Sequence, residues 1–168
     1  KIHAGILNKR DNKLHLKDLR INNFENIDLV IVNFYPFEGT LKKTTNHNKI
    51  IENIDIGGPT MVRSAAKNYK DVTVITSSDQ YVELINELNK YKGSTSLDFR
   101  EKLSRIAFGE TAYYDSVILE YLNKLSNTDF PKKRVFHGNL IQTLRYGENP
   151  HQKAGIYSKK SEMDIKQI

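Results

Sequence analysis

The 168-residue sequence contains no cysteine, which removes disulfide frameworks, thiolate nucleophiles and cysteine-based zinc sites and makes a reducing cytoplasm the default compartment. Long apolar runs are missing as well. No stretch approaches the ~18 residues of a membrane-spanning helix, and Lys1-Ile2-His3 lacks the apolar core of a secretory leader. The first residue is not methionine and the chain enters apolar-patterned sequence at once, so a piece of a longer protein is expected. His3, His15, His47, His137 and His151 show no pair at metal-ligand spacing, and a metal site is not expected. The glycine-rich dinucleotide fingerprint, the serine-hydrolase elbow and the Walker phosphate loop are also absent, which leaves those chemistries without support.

What remains describes a folded domain. Hydrophobic residues make up 38% and charged residues 27%, too apolar for disorder and too polar for a membrane protein. The length suits one domain with a little left over. The net charge of +6 comes from 26 Lys and Arg against 20 Asp and Glu. The lysines are scattered and form no basic cluster interleaved with aromatics, so nucleic acid is not an expected partner, whereas a phosphorylated small molecule suits the excess equally well.

Asp28 to Phe34 is a continuous apolar run closed by Tyr35-Pro36, the pattern of a strand buried on both faces. Asp71 to Ser78 reads the same way. Between them, residues 49–54 and 60–68 have helical spacing on either side of a break at Gly57-Gly58-Pro59. Strand, helix, strand implies an α/β fold with a parallel pair. Helical spacing returns at 79–90 and at 97–125, the latter interrupted by Gly109, so one kinked helix or two short ones fit. The tyrosines of this stretch read as core packing. Residues 126–133 read as an inter-domain linker, followed by extended sequence at 134–144 and a strand at 154–157.

Ligands of open α/β sheets sit beyond the carboxyl ends of strands, where Asn33 and Tyr35 lie. Tyr35 offers a phenol donor and Asn33 an amide, although Tyr35 packed against Pro36 would serve structure alone. In Asp55-Ile56-Gly57-Gly58-Pro59, the glycines allow close backbone approach and the following helix N-terminus favours a polar or anionic group. Arg63 and Lys67 share a helix face, and Asp55 folding back to pair with one of them would make a proton-transferring couple. An ordinary capped helix with a solvated basic edge is the plain alternative.

His3-Ala4-Gly5-Ile6-Leu7, Asp28 to Phe37 (DLVIVNFYPF), Ile51 to Asn68 (IENIDIGGPTMVRSAAKN) and Leu144 to Gln152 (LRYGENPHQ) resemble, in order and spacing, the bifunctional PurH family of purine biosynthesis. The resemblance implies an IMP cyclohydrolase domain of methylglyoxal-synthase-like, three-layer α/β fold with a parallel sheet over residues 1–137, lacking its N-terminal part. Residues 138–168 would then begin a cytidine-deaminase-like AICAR transformylase domain. The family's catalytic positions fall on Tyr35, Asp55 and Lys67, with Gly57 and Gly58 lining the ring pocket through their backbone. Asn33 and Arg63 are expected at the substrate, and Arg145 and Tyr146 match the family's nucleotide-contacting Arg-Tyr pair. In the implied mechanism Lys67, held charged by Asp55, stabilises an oxyanion or protonates a leaving hydroxyl while Tyr35 hydrogen-bonds the reacting group.

The family's phosphate-gripping Ser-Gly-Gly-Thr loop and its Lys-Thr-Leu-His-Pro lysine are expected upstream of Lys1, and its Lys-His-x-Asn-Pro motif is not present. This segment alone is therefore expected to be inactive. The implied ligands are formyl-AICAR, AICAR and IMP. No cofactor is implied for the cyclohydrolase, and 10-formyltetrahydrofolate is the co-substrate of the full-length transformylase. A cytoplasmic homodimer is implied for the full-length protein, with no membrane partner. The rival expectation is a non-catalytic domain of the same fold that senses a phosphorylated ligand.

Overall fold

The computed structural model describes residues 1–126 and 128–159, which divide into a compact unit over Lys1–Tyr114 and a second that begins at Asp115. The first unit opens with helices α1 (Ile2–Leu7) and α2 (Lys13–Ile21). Strand β1 (Leu29–Ile31) follows, then α3 (Phe37–Lys43), α4 (His47–Glu52) and α5 (Gly57–Lys67). Strand β2 (Thr73–Ile75) precedes α6 (Tyr81–Lys90) and the long α7 (Leu97–Leu125), whose first part belongs to this unit. Side-chain caps mark several starts: Asn12 accepts from the Leu14 amide at 3.0 Å and Asn46 from the Lys49 amide at 3.1 Å.

β1 and β2 pair in parallel, Val30 opposite Val74, as the strand-helix-strand pattern requires. β2 is wholly buried, but Leu29 and Ile31 on β1 are 38% and 47% exposed, against the expectation of a strand covered on both faces. β1 has β2 as its one strand partner among the described residues, so its outward side chains lack a covering layer. The core is Val30, Val72, Val74 and Ile75 from the strand segments, Val62, Ala65 and Ala66 from α5, and Phe99, Leu103 and Ala107 from α7. Two alanines, fully buried, allow α5 to lie close against β2.

Buried polar groups fasten this layer. The Asn68 amide, at the end of α5, donates to the carbonyls of Ile6 and Asn8 at 2.8 and 2.9 Å, which holds the end of α1. Ser104 on α7 donates to the Ala66 carbonyl at 2.7 Å. Arg100 donates to the carbonyls of Tyr69 and Lys70, both at 2.9 Å, closing the turn before β2. Each bond satisfies a group that would otherwise cost a desolvation penalty.

Two readings are sharpened. α5 begins at Gly57, so Gly57-Gly58-Pro59 is its first turn and not a break. Proline fits there because the first N–H groups of a helix have no intrahelical partner to lose. α7 is one helix that passes through Gly109, where an added Cβ would meet nothing within 4 Å.

In the second unit the helix ends at Leu125, residues 128–138 are irregular, and β3 (Asn139–Leu144) pairs antiparallel with β4 (Ala154–Ser158), with a register shift between Leu140 and Gln142. Glu120 on α7 receives Lys159, just past β4, at 2.8 Å and Lys124 at 3.0 Å, with His137 Nε2 at 3.4 Å. The lysine hydrogen bonds hold its carboxyl at about 2, below the ordinary 4.5. A depressed carboxyl stabilises the fold above its ordinary value and loses that contribution as the proton binds. Protection factors of the β3 and β4 amides, taken relative to intrinsic exchange at each pH, are therefore expected to fall as pH drops from 4.5 toward 2, and Glu120→Gln to flatten that dependence.

Candidate functional site

The sequence places Tyr35 directly after the apolar run of β1, and the structure ties it to the start of α5 through Asp55. The Tyr35 amide donates to Asp55 Oδ2 at 3.3 Å, and the Gly58 amide donates to Asp55 Oδ1 at 2.8 Å. One carboxylate thus caps α5 and clamps the end of the strand segment. The positive end of the helix dipole favours the negative charge placed there. The amide of Asp55 itself donates to the phenolic oxygen of Tyr114 on α7 at 2.8 Å. Tyr114 is buried, with its ring 5.2 Å from Phe34 and 6.2 Å from Phe37.

Above this junction the surface is open. The Tyr35 side chain is 57% exposed and Ile56 is 73% exposed, and Asn33 is exposed as well. Tyr35 is therefore not a core residue, and its phenol is available to a ligand. The Tyr35 amide, the Asp55 carboxylate and the Gly58 amide are joined by these two hydrogen bonds, and Gly57 lies between Asp55 and Gly58 in the chain.

Lys67 is not brought to Asp55. It is the last residue of α5, nine residues beyond Gly58, and at about 1.5 Å of rise per residue its Cα lies roughly 13 Å along the axis. The Asp55 carboxylate is already committed to two backbone amides, and neither Lys67 nor Arg63 has a carboxylate partner among the described residues. The proposed Asp55–Lys67 couple, and equally an Asp55–Arg63 ion pair, is therefore corrected: Asp55 is a backbone clamp. Arg63 and Lys67 run down an exposed face of α5, with the Arg63 guanidinium 5.5 Å from the centre of the Phe108 ring.

Arg145 and Tyr146 belong to the second unit, where they follow β3 at the entrance to a turn closed by the Gly147 amide donating to the Gln152 carbonyl at 2.8 Å. Both are exposed. Among the described residues no cluster of three or more metal-ligating side chains occurs, and no helix is long and apolar enough to cross a membrane.

A sequence model of the AICARFT/IMPCHase bienzyme matches residues 65–168. The chain belongs to this family. It is 46% identical over 158 residues to the bifunctional purine biosynthesis protein PurH of Bradyrhizobium diazoefficiens, covering 94% of this chain and 30% of that protein. The PurH of Persephonella marina is 50% identical over 159 residues, covering 94% and 31% respectively. Among solved structures, one titled "Crystal structure of ForH" matches with a TM-score of 0.62 at 28% identity, covering 72% of this chain and 62% of that one. The chain thus spans about 30% of the length of the curated relatives it matches.

At the start of α5 the two glycines are under different constraints. A Cβ on Gly58 would lie 2.5 Å from Asp55 Oδ2, so glycine is what allows the carboxylate to sit over the helix start. A Cβ on Gly57 would meet nothing within 4 Å, and its backbone is not left-handed, so the fold itself does not require glycine there. The space beside Gly57 is open. Gly58→Ala is expected to destabilise the first unit by about 1–3 kcal/mol through overpacking. Gly57→Ala is expected to leave the thermal midpoint unchanged or raised, as parallel melting experiments on the two variants would show.

Proposed function

We propose that residues 1–137 are part of an IMP cyclohydrolase domain and that 138–168 begin an AICAR transformylase domain. The full-length protein would then close formyl-AICAR to IMP and supply that substrate by formyl transfer from 10-formyltetrahydrofolate to AICAR. Family membership and the names of the relatives support the reaction class. The observation that carries the site is the Asp55 carboxylate joining the Tyr35 amide to the start of α5, beneath an exposed phenol and an uncovered glycine. The reading includes a methylglyoxal-synthase-like layer order for the first domain, a cytidine-deaminase-like second domain, and a cytoplasmic homodimer.

Ring closure joins two groups on adjacent carbons of one imidazole, so proximity is largely built into the substrate. The carboxamide nitrogen attacks the formyl carbon, the formyl oxygen takes up negative charge, and water leaves after proton transfer. Asp55 has lone pairs beyond those used by the two amides and takes the carboxamide proton. The Tyr35 phenol donates to the developing oxyanion. Gly57 leaves room for the ring, and Asn33 reads its edge. Arg63 and Lys67 give the exposed face of α5 a positive charge that draws in a phosphorylated substrate. Arg145 and Tyr146 contact nucleotide in the second reaction.

The test is steady-state conversion of formyl-AICAR to IMP by the full-length protein that carries this segment. Asp55→Asn is expected to lower turnover at least about a hundredfold, the cost of one preorganised charge or donor at the reacting atoms. Its stability cost is smaller, about 1 kcal/mol, because the amide oxygen retains one of the two hydrogen bonds. Lys67→Met is expected to raise KM and leave kcat nearly unchanged, and a loss confined to kcat would return Lys67 to the reacting atoms. Saturable binding of a phosphorylated ligand with no turnover would instead identify a sensor.

A further inference from the structure

The tyrosines of α7 carry the spacing of a packed helix face, and Tyr114 is indeed buried. Its position is nevertheless unlike that of a purely apolar core residue. The phenolic oxygen accepts from the Asp55 amide at 2.8 Å, a residue 59 positions earlier in the chain. The ring lies against Phe34, which immediately precedes Tyr35, and against Phe37, the first residue of α3. Three segments that converge on the site therefore share this one side chain: the exit from β1, the entrance to α3 and the bend before α5.

The geometry points to a role that rests on the cyclohydrolase reading and extends it: we propose that Tyr114 is a positioning residue that sets the Asp55 carboxylate for ring closure. Asp55 has its backbone held by Tyr114 and its carboxylate held by the amides of Tyr35 and Gly58. Removing the Tyr114 hydroxyl frees the backbone of Asp55 and leaves both carboxylate bonds to hold a residue whose own main chain is loose. The aromatic packing on Phe34 and Phe37 survives in a phenylalanine variant, so the hydroxyl is separable from the core. A side chain that acts only by aiming another should have no effect once that other group has lost its chemistry.

The experiment is a double-mutant cycle on IMP formation in the full-length protein, with Tyr114→Phe, Asp55→Asn and the combined variant. Loss of one hydrogen bond predicts that Tyr114→Phe lowers kcat by up to about tenfold. In the Asp55→Asn background the same change is expected to alter kcat by less than about twofold. Amide exchange at Asp55 and Gly58 should accelerate in Tyr114→Phe while exchange in β2 stays as in the wild type. Equal fold-losses in both backgrounds, or an unchanged kcat in Tyr114→Phe, would overturn the positioning role while leaving the cyclohydrolase reading intact. Wild-type turnover in Asp55→Asn would overturn both.

Discussion

The bridge made by the Asp55 carboxylate is the constraint on which the candidate site depends. Its two oxygens receive amides from Tyr35 and Gly58, residues on segments that local sequence does not bring together. A serine or threonine cap supplies a single oxygen, and an asparagine supplies one acceptor and a donor that would face an N–H. A carboxylate of this length satisfies both amides and keeps its charge. Placement at the start of α5 lowers the cost of holding that charge, since the helix dipole and an N–H group compensate part of the lost hydration. Structural and chemical demands therefore meet in one side chain.

Rigidity behind the bridge comes from α5. Its buried face is small, Ala65 and Ala66 with Val62, so the helix lies close to β2 and has little room to rock. Its C-terminal end is pinned by Asn68 to α1 and, through the Ala66 carbonyl, by Ser104 to α7. Sites built on regular elements held by buried hydrogen bonds keep their geometry better than sites built on loops. The exposed face of the same helix keeps Arg63 and Lys67 free of carboxylate partners among the described residues, which leaves their charge acting outward.

How much of this was legible follows from the range of each signal. The run Asp71 to Ser78 announced β2 because continuous β-branched residues have one common use in an α/β chain. The parallel pairing followed from strand-helix-strand order. The short helices α1, α2 and α3 carry few residues and weak periodicity, and α3 begins directly after Pro36, where the sequence reads as a stop. Gly57-Gly58-Pro59 looked like a break because those residues interrupt helix interiors, although a first turn tolerates them. Tyr35, Asp55 and the glycines were visible as a set from the family motif. The partner of Asp55 was not: sequence weighs charge against charge and suggests Lys67, whereas backbone amides carry no sequence label. Tyr114 was hidden for the opposite reason, since a phenol on a buried face has the same spacing whether its hydroxyl is used or idle.

The two roles of Asp55 also determine which changes are informative. Any substitution at 55 alters the helix cap, the clamp on Tyr35 and the local charge together, so a loss of activity alone does not say which mattered. Gly58 has the same defect, because a Cβ there displaces the carboxylate sterically. Tyr114 receives the main-chain amide of Asp55, whereas the carboxylate receives the amides of Tyr35 and Gly58. Tyr114→Phe removes the hydroxyl that receives the Asp55 amide and keeps the carboxylate itself. Geometry and electrostatics, fused in the residue at the centre of the site, become separable one contact away from it.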